Sequence, residues 1–271
     1  MKHSVYLFLM LSAFLMFCGC DRNVPEPAEM LILPEATMET VAEFTEESPV
    51  VDSQETSPAE TVKAPDPEFY VPGIAAEEVI RYFTEVCLDA EMINSGNPTL
   101  LQKWQSPIRY MIYGDPTEED LASIGSMEAW LNTIEGFPGL HQTQDAAAAN
   151  LRIHFCSEQE MTDLMGQQFS GLDGAVTFWY EQDVIFDAII CCRKDLDQHL
   201  RNSVILEELY NGLGPVQDTQ LRPDSIIYAA YSEPQALTQM DELILRLLYH
   251  PSLTCGMNAD QCAEMIRQLY R

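Results

Sequence analysis

The chain has 271 residues, 46% of them hydrophobic, enough for an ordinary core in one or two domains. Lys and Arg total 14 against 43 Asp and Glu, a formal net charge of -29. A chain so acidic repels phosphate backbones and anionic headgroups, which argues against nucleic acid as a partner and against a basic patch as a membrane anchor. The acidity reads first as solubility. Calcium is the sharper alternative, and no D-x-[DN]-x-[DN]-G loop supports it.

The N-terminus reads as a targeting segment. Lys2 and His3 precede an apolar run over residues 5–17, broken by Ser12. The run is short for a bilayer span and suits a signal peptide. It ends at Phe17-Cys18-Gly19-Cys20, a lipobox in which Phe17 and Cys18 depart from the usual Leu and small residue. The expectation is a lipoprotein signal over residues 1–19 and lipidation at Cys20, whose acyl chains would anchor the protein in the cell membrane on the extracytoplasmic side. From residue 20 to 70 prolines and acids recur without any period, and only Arg22 and Lys63 carry positive charge. Such a stretch cannot repay the entropy of ordering, so it is expected to be a disordered tether with a reach of about 40 Å or more.

Residues 71–271 read as one α+β domain. The apolar stripe of Val79, Tyr82, Phe83, Val86 and Leu88 predicts a helix over 75–92. A strand over 108–113 and a helix over 117–135 follow, the latter with Thr117 as N-cap and Asp120 at its third position. A second strand spans 151–156, and Ser157 with Glu160 forms the capping box of a short helix. The β-rich runs 175–180 and 184–192 form a hairpin. Helices over 197–212, 237–249 and 258–270 complete the chain. The mixture predicts a small mixed sheet with packed helices and a helical C-terminal part.

Six cysteines remain beyond the lipobox, an even number that favours disulfides outside the cytoplasm. Cys255 and Cys262, close in sequence around the start of the last helix, are the leading pair. No C-x-x-C occurs, and His141, His154, His199 and His250 are scattered, so no metal and no cofactor is expected.

One stretch has a chemical flavour: Leu206-Glu207-Glu208-Leu209-Tyr210-Asn211-Gly212-Leu213-Gly214-Pro215-Val216-Gln217-Asp218. Beside the zinc-peptidase helix H-E-x-x-H-x-x-G, Glu208 falls on the general base. Glu207 and Asn211 fall on the two His ligands, Gly214 falls on the turn glycine, and Asp218 lies near the third ligand. Positions i and i+4 share a helix face, which is why that spacing can hold an ion beside an activating carboxylate. Here the imidazoles are missing, and acid with amide makes a poor zinc site. The bland alternative is a solvated acidic helix face ended by Gly214 and Pro215.

The same half of the chain carries Glu207-Glu208-Leu209, Leu213-Gly214, Asp218, Pro223-Asp224-Ser225-Ile226, Leu237-Thr238, Asp241, Leu247-Leu248-Tyr249-His250-Pro251 and Gly256-Met257. Upstream stand Leu101-Gln102-Lys103-Trp104 and Pro107-Ile108-Arg109. In order, these motifs resemble an uncharacterised bacterial family, that of domain of unknown function 2927 (DUF2927), over residues 75–265. Members usually have Gln at the place of Asn211 and Asn at that of Gln217, amide for amide. The family has no established activity, so the resemblance implies a fold and an envelope location, not a reaction. A zincin-like layout is compatible with it.

Two functions follow. The first is a non-catalytic binding or scaffolding module whose partner is a cell-envelope protein or wall component. The second is a hydrolase of peptide or cell-wall material, with Glu208 as base and Glu207, Asn211 and Asp218 as polar contacts. A carboxylate-pair glycosidase is disfavoured, because Glu207 and Glu208 diverge by about 100° on a helix.

Overall fold

A computed structural model describes residues 69–88, 100–230 and 232–270, all of which belong to one compact unit. The signal peptide, Cys20 and nearly all of the tether lie outside the described residues. The elements run α1 (Ala76–Leu88), β1 (Lys103–Trp104), β2 (Ile108–Gly114), α2 (Glu118–Leu131), β3 (Leu140–Gln142), β4 (Leu151–Cys156) and α3 (Glu158–Met165). A 3₁₀ turn at Gln167–Phe169 follows, then β5 (Gly174–Glu181), β6 (Val184–Arg193), α4 (Gln198–Gly212), α5 (Gln239–Tyr249) and α6 (Ala259–Leu269). The mixed sheet, its packed helices and the helical C-terminal part are as the sequence predicts. β1 and β3 are additions: with two and three residues they are too short to show a period, and pairing alone defines them.

The helix starts follow local chemistry. Thr117 with Asp120, Ser157 with Glu160, Thr238 with Asp241 and Asn258 with Gln261 all close reciprocal capping boxes, which satisfy backbone N–H groups that a first turn leaves unbonded. The hairpin between β5 and β6 turns on Gln182 (φ 50) and Asp183 (φ 62). Two successive positive φ values are what a two-residue type I′ turn requires.

In the six-stranded sheet β3, β2, β4 and β6 lie side by side and parallel. β5 closes the far side of β6, antiparallel. β1 pairs the first residues of β6, Val184 and Ile185. Alternation sends Leu151, Ile153, Phe155, Ala188, Ile190, Cys192, Val176 and Phe178 to an inner face, where all are buried. There α4 packs on β5 and β6 and against α2, while α1 packs on α6 and α5. The outer face carries Met111, Tyr113, Arg152, His154, Ile189 and Cys191. α3 and the 3₁₀ turn cover one end of it with a small core of Cys156, Met161, Phe169, Leu172, Ala175 and Cys191. Among the described residues no helix is long and apolar enough to cross a membrane.

Candidate functional site

The helix with the peptidase-like spacing is α4, which leaves the sheet directly after β6. Asp197 caps it, its carboxylate accepting from Leu200 N at 3.2 Å. One turn on, Arg201 donates from Nε to Asp120 Oδ1 at 3.1 Å, so the acid that completes the α2 capping box also anchors α4. Burial pushes the Asp120 carboxyl up, but hydrogen bonds from Arg201, Thr117 and Gln198 outweigh it and hold the group below its ordinary value.

From Ser203 to Gly212 every residue of α4 is buried. Glu207 is 5% exposed, Glu208 1% and Asn211 0%. The solvated acidic face is therefore overturned: the helix packs between the sheet strands β5 and β6 and α2, and its polar positions are buried. Glu208 lies against the first residue of edge strand β5. A Cβ on Gly174 would stand 2.9 Å from Glu208 Oε1 and 2.4 Å from Val204 Cγ1, so only glycine lets strand and helix approach so closely. Gln217 is buried and Asp218 half-buried just beyond the turn.

The turn that ends α4 is held from three sides. Trp104 Nε1 donates to Gly212 O at 2.9 Å and Tyr249 Oη to Leu213 O at 2.7 Å, taking up carbonyls that a helix end leaves unbonded. Gly214 has φ 128, and a Cβ there would meet Gln102 O at 2.8 Å. Lys103 Nζ donates to Leu248 O at 2.8 Å and also to Leu253 O, closing the end of α5. Burial pushes this lysine down to about 8. After the turn, Val216 N and Gln217 N both donate to Val86 O of α1.

A second polar hub surrounds Asp241. Its carboxylate accepts from Ser225 Oγ at 2.6 Å, Tyr82 Oη at 3.2 Å, Ile226 N at 3.2 Å, Thr238 N at 2.9 Å and Thr238 Oγ1 at 2.8 Å. Motif segments far apart in sequence thus converge on two structural devices: a collar around the α4 turn and this buried carboxylate.

The histidines do not gather at α4. His154 lies on the outer face, stacked on Tyr113 with centroids 4.6 Å apart, and burial lowers its pKa. His199 is exposed beside Glu233, His141 is exposed beside Glu128, and His250 meets Phe69 edge-on. Among the described residues no three His, Cys, Asp or Glu side chains group as a metal site. The six described cysteines are thiols. Cys262 is buried and Cys255 half-buried, with Cys255 Sγ 3.7 Å from Lys103 O.

Two clefts open elsewhere. One, of about 450 Å³, runs between α2, α4 and residues 235–242, lined by Ser123, Met127, Trp130, Leu206 and Leu237 with Glu242 at its rim. The other, of about 430 Å³, lies between Tyr70, Val71 and Pro72 and one side of α5, and shares Glu242. Neither is lined by Glu207, Glu208, Asn211 or Asp218. Sequence reasoning did not find the first cleft, since its walls come from α2, α4 and residues 235–242, which no local pattern joins.

The sequence matches the family described as "Protein of unknown function (DUF2927)" over residues 76–268. The chain belongs to this family. No curated protein matches it. For this DUF2927 protein the match runs from the start of α1 into the last turn of α6, so the collar and the Asp241 hub both lie within the family domain.

Proposed function

We propose that this DUF2927 protein is a non-catalytic binding or scaffolding module of the cell envelope, lipid-anchored through Cys20 on the extracytoplasmic side. The observation that carries the non-catalytic part is the burial of Glu207, Glu208 and Asn211 at 5%, 1% and 0%. A base that must meet water and a peptide bond needs an opening, and a zinc ion needs nitrogen or sulfur donors. The helix offers acid and amide, packed under Gly174. A zincin-like layout is supported by the antiparallel edge strand β5 and by α4 emerging straight from β6. On that view the ligand positions have become part of the core.

Binding falls to the cleft beside α2. Its volume lies in the range of small-ligand and side-chain pockets, and its Met127, Trp130, Leu206 and Leu237 lining suits an apolar anchor. The partner class is a segment of an envelope protein or a wall peptide.

The hydrolase reading has one observation in its favour, the Glu208 carboxylate beside an edge strand where an extended peptide could add. Metal analysis and peptide hydrolysis by the full chain, purified in detergent without chelators, separate the two. No stoichiometric zinc and no cleavage is the expected result. Stoichiometric zinc, or cleavage abolished by Glu208→Gln, overturns the proposal. Mass spectrometry of the Cys20 peptide tests the anchor by itself.

A further inference from the structure

The sheet brings two of the six thiols together. In the β4–β6 register His154 opposes Cys191 and Cys156 opposes Arg193, so the side chains of Cys156 and Cys191 leave the sheet on the same face, one diagonal step apart. Both belong to the small outer core with Met161, Phe169, Leu172 and Ala175. Cys191 lowers the pKa of Cys156, while Cys156 and burial raise that of Cys191. Cys192, next in the chain, alternates to the inner face, where its Sγ lies 3.9 Å from Arg201 O. Adjacent cysteines of one strand therefore have different surroundings, and only one of them faces Cys156.

Of the two thiols, Cys156 is the better placed to attack, being the less buried and the one whose pKa is lowered. It ends β4 immediately before Ser157, the N-cap of α3, and Lys194 N donates to its carbonyl at 2.9 Å. Beside the effect of Cys191, burial and Glu160 oppose the Cys156 thiolate and the Lys194 charge favours it. Cys191 is fully buried, a thiol that resolves rather than attacks.

We propose that Cys156 and Cys191 form a thiol–disulfide pair that a disulfide donor closes into a covalent bond between β4 and β6. The donor is a small or protein disulfide, such as oxidised glutathione or an oxidised Cys-x-x-Cys oxidoreductase. The Cys156 thiolate attacks one donor sulfur, forming a mixed disulfide and releasing the first donor thiol. Cys191 then loses its proton and attacks the Cys156 sulfur, releasing the second donor thiol. The protein pair gives up two electrons and two protons, and the donor disulfide is reduced to two thiols. Phe169 and Leu172 cover the pair, and Cys156 is 5% exposed, so entry requires the 166–172 corner to lift. That corner turns on Gly166 (φ 111) and Gly171 (φ 82). The proposal depends neither on lipid anchoring nor on the absence of catalysis.

The test is disulfide mapping of the full chain equilibrated in a glutathione redox buffer, once as the native protein and once refolded in the same buffer. Samples are quenched in acid, alkylated under denaturing conditions, digested and analysed by mass spectrometry. A linked peptide joining Cys156 to Cys191 is expected, retained in Cys192→Ser and lost in Cys191→Ser. Alkylation of both Cys156 and Cys191 in native and refolded samples alike overturns the proposal. So does a bond from either residue to another cysteine. Both outcomes are read on the unsubstituted chain, so a misfolded variant does not blunt the test.

Discussion

Two arginine–carboxylate pairs, one between α2 and α4 on the inner side of the sheet and one between β4 and β6 on its outer face, differ in what surrounds them. On the inner side Arg201 and Asp120 are 6% and 0% exposed, and Asp120 also accepts from Gln198 and the Thr117 backbone. On the outer face Arg152 meets both oxygens of Asp187, at 2.7 and 2.6 Å, with the side chains 31% and 30% exposed. The contact chemistry is the same. The inner pair is desolvated and fixed by further hydrogen bonds, so losing one partner strands a buried charge. The outer pair can exchange its contacts for water. In this protein an ion pair's weight follows from depth and from the number of extra bonds, not from its distance.

The largest expected effect comes from breaking the inner pair alone. Arg201→Met leaves Asp120 buried without its guanidinium and should cost about 3–5 kcal/mol in denaturant unfolding. A loss no larger than that of Arg152→Ala would break the comparison. Next comes the contact that lets α4 lie so close to β5. Gly174→Val places carbon where Val204 and Glu208 already sit and should destabilise by about 1–3 kcal/mol, read as a lower Tm.

Acid sharpens the contrast further. The folded pKa of Asp120 lies below its unfolded value, so its contribution is present above about pH 4 and is lost as pH falls through the folded value. Urea midpoints measured downward from about pH 5 should fall through that window, and the fall should be shallower in Arg201→Met. The smallest effect belongs to the outer face. Arg152→Ala should change stability by about 0–1 kcal/mol, and salt should shrink the difference, as unfolding at low and high ionic strength will show.

Much of the fold was legible before any coordinates. The caps at Thr117 and Ser157 are local, and each fixes a helix start within a few residues; the boxes at Thr238 and Asn258 are equally local and were not read. The strand over 151–156 alternates apolar residues onto one face and could be read directly. What escaped was set by distant partners. β1 and β3 exist through pairing alone, and the polar run of α4 looked solvated because a helix cannot announce what will cover it. Glu207, Glu208 and Asn211 were singled out from spacing, while α4 was buried by β5, β6 and α2. The cleft at Trp130 and the meeting of Cys156 with Cys191 join segments about 35 to 120 residues apart, beyond the reach of any local pattern.

The sequence by itself determined the class of the domain, the placement of most helices and strands, the missing imidazoles on α4 and membership of the DUF2927 family. These depend on period, capping and residue identity, which act within a few residues. Tertiary structure alone decided that Asp120 serves two helices, that Asp241 gathers Tyr82, Ser225 and Thr238, and that Cys191 rather than Cys192 shares a core with Cys156. Burial and register are properties of the whole packed chain, and the charge or thiol of a residue acquires its chemistry only once its neighbours have excluded water.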